Sequence, residues 1–431
     1  MLKHVFQLSK YPSLDTEALR SNLRAHIFDG ALFGFAMSLV SYNTILPVFI
    51  QQVGGSMVAI GSVPVLWLIG TNFPQVIVLR IINTRGSVKR EVLRYGLIYR
   101  ASFLVVGLFT LFFVKNLQPT ISVPLLLLFI FLMAVAGSFG VPPWFQLFAK
   151  TTPMKLRGKL QGVRQLLSSA LGILGGSIVT FVLAFAPFPV NFALLFIIAY
   201  VFTMLSYRYL RTLVEPASPP SLLPQPRSGI LADGIAILKR DKNFRNFLLA
   251  DAFTLMSMSA SGFYAVYGIE KFGLPASFAG TFTVIVMAGM VAGNIVFGYL
   301  ADSFGHKVNL IVLASASALA SAVAFGAGDI LVFGSAFVFM GWTVSLQGIS
   351  RLSFVAELCS ESDRPTYVGL TNTMTAPTLA VGILFGWVAR EYGFGLMFVV
   401  ATILGIAAVA WLILQVYDPR NAEDKTVVGE R

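Results

Sequence analysis

The sequence predicts an all-α membrane protein of twelve transmembrane helices in two pseudo-symmetric bundles of six. Three observations carry that prediction. Of the 431 residues, 56% are hydrophobic and only 12% are charged, which is more apolar surface than a soluble core of this length hides. Apolar stretches of about 20 residues, the length that crosses a bilayer, recur twelve times along the chain. Lys and Arg are also unevenly shared. If the chain starts inside, 28 of the 31 fall on one side and only Lys115, Lys271 and Arg390 on the other, the bias that cytoplasmic flanks keep during insertion.

The elements follow in order. Residues 1–24 form a cytoplasmic segment carrying Lys3, His4, Lys10, Asp15, Glu17, Arg20 and Arg24; it has no apolar h-region, so the first span must direct insertion. The spans are expected near 25–50, 57–80, 92–114, 121–148, 161–186 and 190–210, which together make a bundle over 25–211. The pattern then breaks. Pro216, Pro219, Pro220, Pro224 and Pro226 forbid a continuous helix, so residues 212–245 read as a cytoplasmic linker. Its second part, Ile230 to Lys242, places Ile230, Leu231, Ile235 and Leu238 near one face beside a basic end, which predicts a short helix on the membrane surface. Six further spans, near 246–269, 276–300, 309–328, 330–356, 366–389 and 394–416, make a second bundle over 246–417, and 418–431 is a cytoplasmic tail. The +12 net charge then needs no nucleic acid, because an inner face drawn to anionic lipid accounts for it. Cys359 is the one cysteine, so no internal disulfide exists.

If the bundles are repeats, features should recur at an offset of a little over 200 residues. Asp29 opens the first span as Asp251 opens the seventh; Asn83-Thr-Arg-Gly86 answers Asp302-Ser-Phe-Gly305; Arg157-Gly-Lys-Leu-Gln-Gly162 answers Arg364-Pro-Thr-Tyr-Val-Gly369. The offset falls from 222 to 219 to 207 because loops between matched helices differ in length.

Gly298-Tyr-Leu-Ala-Asp302-Ser-Phe-Gly305-His306-Lys307 joins the eighth and ninth spans. Its glycines permit a tight turn, Asp302 is placed to cap the next helix, and His306 and Lys307 suit an anionic surface. This stretch resembles the signature loop of the major facilitator superfamily, with His306 where Arg is usual, and the likeness extends from about residue 20 to 417. Gly162 to Gly176 resembles the glycine-bearing fifth helix of that family. In the first half Asn83 replaces the signature Asp, which weakens a charge-relay role there.

Candidate functional residues fall in two groups. One is a cytoplasmic gate in which Arg157 and Arg364 pair with acids such as Asp302 or Glu357 in one conformation and release them in the other; Gly298, Gly305, Lys307, Asp29 and Asp251 belong to the same region, with Arg164 and Arg351 close by. These charges read equally as interfacial anchors or inter-helix pairs. No ionisable residue is expected near the bilayer midplane. The second group comprises polar and aromatic residues expected to line a cavity: Asn43, Trp67, Asn72, Gln146, Gln165, Tyr264, Tyr267, Asn294, Trp342, Gln347 and Asn372. For the aromatic ones an interfacial belt is the competing reading. The sixth and twelfth spans, almost wholly apolar, read as lipid-facing, while Pro47, Pro142-Pro143 and Pro377 are positions where helices are expected to break.

No catalytic triad, phosphate loop or metal-ligand cluster is present in the sequence, so neither an enzyme nor a cofactor is expected. Vectorial movement of a small neutral or amphipathic solute is the chemistry this architecture suits. The resemblance implies alternating access by two rocking bundles, a monomer in the inner (plasma) membrane with both termini cytoplasmic, proton coupling and a leaning to efflux. An uncoupled facilitator, a lipid or lysolipid flippase and a transport-inactive sensor or scaffold stay open.

Overall fold

In a computed structural model the chain is built of helices joined by short turns and connections over the described residues, which are 6, 16–81, 87–216, 236–361 and 363–420, with side chains 73–81 and 365 outside the description. Sixteen α-helices account for the twelve expected spans, because four spans are interrupted. The first is α1 (Glu17–Leu39) and α2 (Ile45–Gln52), parted at residues 40–44; Thr16 caps α1 by accepting the Leu19 N–H at 3.1 Å, and Pro47 sits in the first turn of α2, where its missing N–H costs nothing. Four continuous helices come after α3 (Met57–Ile81): α4 (Val88–Phe112), α5 (Pro119–Thr151), α6 (Met154–Phe185) and α7 (Val190–Arg211).

The seventh span is α8 (Lys242–Met258) and α9 (Ser261–Lys271), parted at Ser259 and Ala260, a break that begins 8 residues after Asp251 where that of the first begins 11 after Asp29. Then come α10 (Phe278–Phe304), α11 (His306–Gly326) and α12 (Ile330–Leu346), the last continuing through a π turn, Gln347–Arg351, into α13 (Leu352–Glu357). The eleventh span is α14 (Arg364–Thr375), a 3₁₀ segment Ala376–Ala380 containing Pro377, and α15 (Val381–Tyr392); α16 (Phe394–Gln415) completes the set. Pro142 and Pro143 do not break α5. Nine of these spans are single runs long and apolar enough to cross a membrane; the first and seventh fall short because their breaks divide them, and the second because only its first part is fully described.

The chain forms two compact units: Met1–Gly55, Leu66–Gln225 and Pro275–Val284, and then Ser56–Val65, Pro226–Leu274 and Ile285–Arg431. They differ from the expected halves by exchanging two short segments. Within the first unit the start of α10 lies on α6, where Gly176 and Gly280 face each other; a Cβ on Gly176 would stand 2.8 Å from the Val284 nitrogen, a distance no side chain tolerates.

Inside each unit the same pairing scheme holds. In the first, α1 packs on α7, α4 on α7, and α4 on α5; in the second, α8 packs on α16, α11 on α16, and α11 on α12. These are the corresponding pairs of a six-helix repeat. α7 and α16 bury Phe196, Ala199 and Thr203, and Ala401, Ala408 and Leu412, on one side, and expose Val201 and Leu205, and Ile403, Ile406 and Ile413, on the other, the pattern of helices with one face to lipid.

A strap ties down one end of the first unit. The Glu215 carboxylate accepts the Val88 and Lys89 N–H groups at 3.2 and 3.0 Å and the Ser87 hydroxyl at 2.6 Å, and pairs with Lys150 at 3.3 Å. It thereby satisfies the free N–H groups of α4, where the helix dipole favours an anion. Asn22 holds the preceding residue at both backbone groups, donating to the Val214 carbonyl and accepting its N–H. Residues 217–235, among them the first six of the thirteen residues of the expected surface helix 230–242, lie outside the described residues; 236–240 are helical, and Ile237 packs into the second unit's core. Asn83-Thr-Arg-Gly86 also lies outside the description.

Partial burial by itself raises a carboxyl pKa, but the bonds from Ser87, Lys89, Lys150 and Val88 outweigh it and hold Glu215 below the ordinary carboxylate range. A depressed acid contributes stability above its unfolded pKa and loses it as pH falls through the folded value. Glu215→Gln is therefore expected to lower stability by about 1 kcal/mol at pH 7. The gap to wild type should close as pH drops below about 4, read by thermal unfolding in detergent; a gap unchanged with pH would remove the charge from this account.

Candidate functional site

Each unit buries one aspartate against arginine. In the first, α1 turns Asn22, His26, Asp29 and Gly30 to its packed side, and Asp29 is 4% exposed. Its Oδ1 accepts the Ser206 hydroxyl at 2.7 Å and lies 3.7 Å from Arg100 Nη2; its Oδ2 accepts Arg164 Nη2 at 3.3 Å. Arg100 is itself held on three sides, donating from Nε to the Thr203 carbonyl at 2.7 Å, from Nη1 to the Gly96 carbonyl at 3.0 Å and from Nη2 to Ser206 at 3.0 Å. A side chain so fixed joins α1, α4 and α7.

Arg164 enters from α6. Its guanidinium lies over the Trp144 ring at 4.5 Å and near Phe148 at 6.0 Å, and it passes Gly30 so closely that a Cβ there would stand 2.5 Å from Nε. His26 donates or accepts through Nε2 to Thr151 at 2.8 Å and meets Phe148 edge-on.

In the second unit Asp251 is paired more tightly. Arg351 Nε reaches both carboxylate oxygens at 3.0 Å and Nη2 reaches Oδ2 at 2.7 Å, while Nη2 also donates to Thr375 at 3.0 Å and Nη1 to Asn372 at 3.1 Å. The π turn that ends at Arg351 adds about one residue to its helix and re-aims the side chains beyond it. The 207-residue offset that relates Arg157 to Arg364 carries Trp144 onto Arg351 and Arg164 onto Thr371, beside Asn372. Both repeats therefore gather polar groups around a matched aspartate, but on different helices: Asp29 meets arginines on the third and fifth spans and Ser206 on the sixth, whereas Asp251 meets one arginine on the tenth, itself held by Thr375 and Asn372 on the eleventh.

Arg100 corrects one expectation. The expectation of no ionisable residue near the bilayer midplane overlooks Arg100, which lies well inside the span read as 92–114 and is the thirteenth of the twenty-five residues of α4 and 4% exposed. It removes the main argument for an uncharged solute. Ser206 is likewise unmarked in the sequence; its partners lie 106 and 177 residues away, where no local pattern reveals them.

The Gly298–Lys307 stretch departs from expectation in its capping. α10 runs to Phe304 and α11 begins at His306, so Gly305 alone makes the turn, with φ +85, the left-handed region that glycine adopts without strain. Asp302 is still inside α10, exposed, and cannot fold back to cap α11. Gly298 and Lys307 are half-buried. Arg157 donates to the Thr152 and Ala149 carbonyls at 3.0 and 2.7 Å, closing the end of α5, and Arg364 is exposed at the start of α14. Glu357 is held by Arg420 at 3.0 Å, with His306 4.0 Å away, and His306 Nδ1 meets the Ser350 hydroxyl at 3.1 Å. Arg364 thus makes no ion pair with Asp302 or Glu357 among the described residues.

Of the residues expected to line a cavity, Asn294 and Asn372 join polar groups across helices: Asn294 Oδ1 accepts the Ser345 hydroxyl at 2.6 Å, leaving Nδ2 buried without a partner, and Asn372 meets Arg351. Trp67 is buried and stacks on Tyr42 at 5.6 Å. Asn43 is buried in the α1–α2 break, whereas Asn72 is exposed and bonds its own helix at the Leu68 carbonyl. Tyr264 is 1% exposed, its hydroxyl 2.9 Å from Ser321, and Tyr267 packs among Phe333, Phe394 and Phe398, both within the second unit. Trp342 meets Phe297 and Phe339 edge-on, and Gln146, Gln165 and Gln347 are half-buried.

A sequence profile described as Major Facilitator Superfamily matches residues 28–274 and 252–430. No curated protein sequence matches the chain. Among solved structures, a variant of the nucleoside transporter NupG superposes with TM-score 0.71 at 14% identity, covering 91% of this chain and all of that one. A D-xylose-proton symporter gives 0.70 at 14%, covering 94% and 99%. A bacterial homolog of the human lysosomal transporter Spinster, inward-facing and unoccupied, gives 0.63 at 13%, covering 93% and 96%. At these identities the likeness is one of fold.

Removing one partner of a buried pair strands the other charge. Asp251→Ala is expected to cost about 3–5 kcal/mol, and adding Arg351→Ala to recover part of that loss. Thermal unfolding of the two single variants and the double variant checks it; strictly additive losses would mean that the two charges do not depend on each other.

Proposed function

Because the chain belongs to the major facilitator superfamily, a family of membrane transporters and not of enzymes, we propose that it is a secondary transporter that moves a small amphipathic solute by alternating access. The observation that supports this best is the repeat itself. Two units share three helix pairings, an interrupted first span, and on that span a buried aspartate at a matched position paired to arginine. Pseudo-symmetric halves of this kind can exchange roles between two states of similar energy, which is what alternation requires.

Three finer parts belong to the same proposal. The protein lies in the inner membrane as a monomer with both termini cytoplasmic, a placement the Lys and Arg asymmetry supports. Transport is outward and coupled to protons. The Gly298–Lys307 stretch, with Asp302 exposed at its centre, forms part of a cytoplasmic gate with Arg157, Arg364 and Glu357.

The test is uptake and efflux of a panel of labelled amphipathic and neutral solutes in proteoliposomes, with and without an imposed pH gradient. Gradient-dependent flux is expected, and flux indifferent to the gradient would replace the coupled transporter with a facilitator. Asp302→Asn is expected to cut flux several-fold while leaving insertion and thermal unfolding unchanged. Normal flux in that variant would take Asp302 out of the gate.

A further inference from the structure

The two aspartate clusters differ in formal charge. Around Asp251 stands one arginine, and the sum is zero; around Asp29 stand two, Arg100 and Arg164, and the sum is +1. Both clusters are largely buried, Asp29 and Arg100 having side chains about 5% and 4% exposed and Arg164 12%. A lone positive charge among apolar helices costs several kcal/mol, so a chain that keeps one needs a reason.

The excess is not spread evenly. Arg100 donates from Nε, Nη1 and Nη2 to the Thr203 carbonyl, the Gly96 carbonyl and Ser206, as Arg351 donates from all three of its nitrogens in the second unit. Arg164 is different. Its Nη2 makes a single 3.3 Å contact with Asp29, and its Nη1 is buried with no partner. Its remaining support is the face of Trp144 at 4.5 Å, and aromatic rings offer no lone pair to satisfy an N–H. A guanidinium with one buried nitrogen left unpartnered, set against Trp144 and Phe148, matches a planar or tetrahedral oxyanion carried on an apolar body.

We propose that Arg164 receives the anionic group, a carboxylate or a phosphate ester, of an amphipathic solute, with Asp29 positioning the guanidinium and Trp144 and Phe148 meeting the apolar part. This rests on the transporter reading above and gives its solute a charge. Asp29 stays beside Arg100, 3.7 Å away, when Arg164 turns to the ligand, so the cluster of acid, two arginines and a singly charged anion is neutral, whereas a doubly ionised phosphate monoester takes it to −1. The second unit, already neutral at Asp251, takes no such group.

The test reads binding apart from transport. Protein in dodecyl maltoside is heated with octanoate, octyl phosphate, or 1-octanol of the same chain length. Octanoate and octyl phosphate are expected to raise Tm by several degrees and 1-octanol by about one or less. Arg164→Gln is expected to abolish the difference between anion and alcohol. Should that variant fail to fold, Gly30→Ala keeps every charge but drives its Cβ against Nε, and is expected to weaken anion affinity at least fivefold. Nanodiscs of phosphatidylcholine with and without phosphatidylglycerol separate the sources: stabilisation by phosphatidylglycerol that competes with octanoate assigns the oxyanion to a lipid headgroup, and its absence to a dissolved anion. Equal shifts with octanoate and octanol, or an anion response that survives both substitutions, would overturn the proposal. An anion shift without flux of any solute sinks the transporter reading and leaves the site; flux without an anion shift does the reverse.

Discussion

A charge carried into an apolar bundle must bring its partners with it, and the packing of each unit is arranged around that requirement. Apolar side chains gain little by leaving lipid for a helix interface, since both are hydrocarbon. What fixes one helix against another is close approach at small residues and directional polar contact. Asp29 gathers α1, α4, α6 and α7 through Arg100, Arg164 and Ser206; Asp251 gathers α8, the π turn and α14 through Arg351, Thr375 and Asn372. Leaving any of these groups alone costs several kcal/mol, against about 1 kcal/mol or less for an exposed pair.

The strap at Glu215 shows how a contact at the helix end sets what lies deep inside. Val88, Lys89, Arg90 and Glu91 are poor candidates for a membrane helix by hydropathy, and the span read from sequence begins at 92. Glu215 satisfies the N–H groups of Val88 and Lys89 and lets the helix start four residues sooner. The midpoint of α4 thereby falls on Arg100. Even the span read as 92–114 holds Arg100 three residues from its midpoint, so its depth is legible in the sequence; what the sequence hides is the set of partners that hold it there.

Much of the fold is legible without coordinates, and the reason is physical: hydrocarbon imposes a length and a polarity on every span, and insertion imposes a charge bias on the loops. The matched aspartates and the Arg157–Arg364 correspondence emerge from a roughly constant offset for the same reason, a duplicated unit keeping its register. What stays hidden is contact between distant residues. Nothing near Ser206 marks it as a partner of Asp29, and nothing in Gln347 to Arg351 announces a π turn. The expectation that Asp302 caps α11 fails because capping needs a loop in which the side chain can turn back, and here one glycine makes the whole connection. The candidate residues are thus easier to name than to join.

The strengths of these interactions also divide labour. A pair such as Arg351–Asp251, bidentate and buried, is too costly to break in every cycle of a working protein; it is suited to keeping a unit rigid. Contacts that alternate must be cheap in both directions. The Glu357–Arg420 pair is of that kind, its side chains 25% and 44% exposed, with His306 as an alternative neighbour and Asp418 of the same tail segment against Gly305. Water stands ready to replace each partner when they separate, so the cost of parting is of the order of thermal energies. In the alternation proposed for this chain, rigidity belongs to the Arg351–Asp251 pair and switching to the exposed ends of the helices.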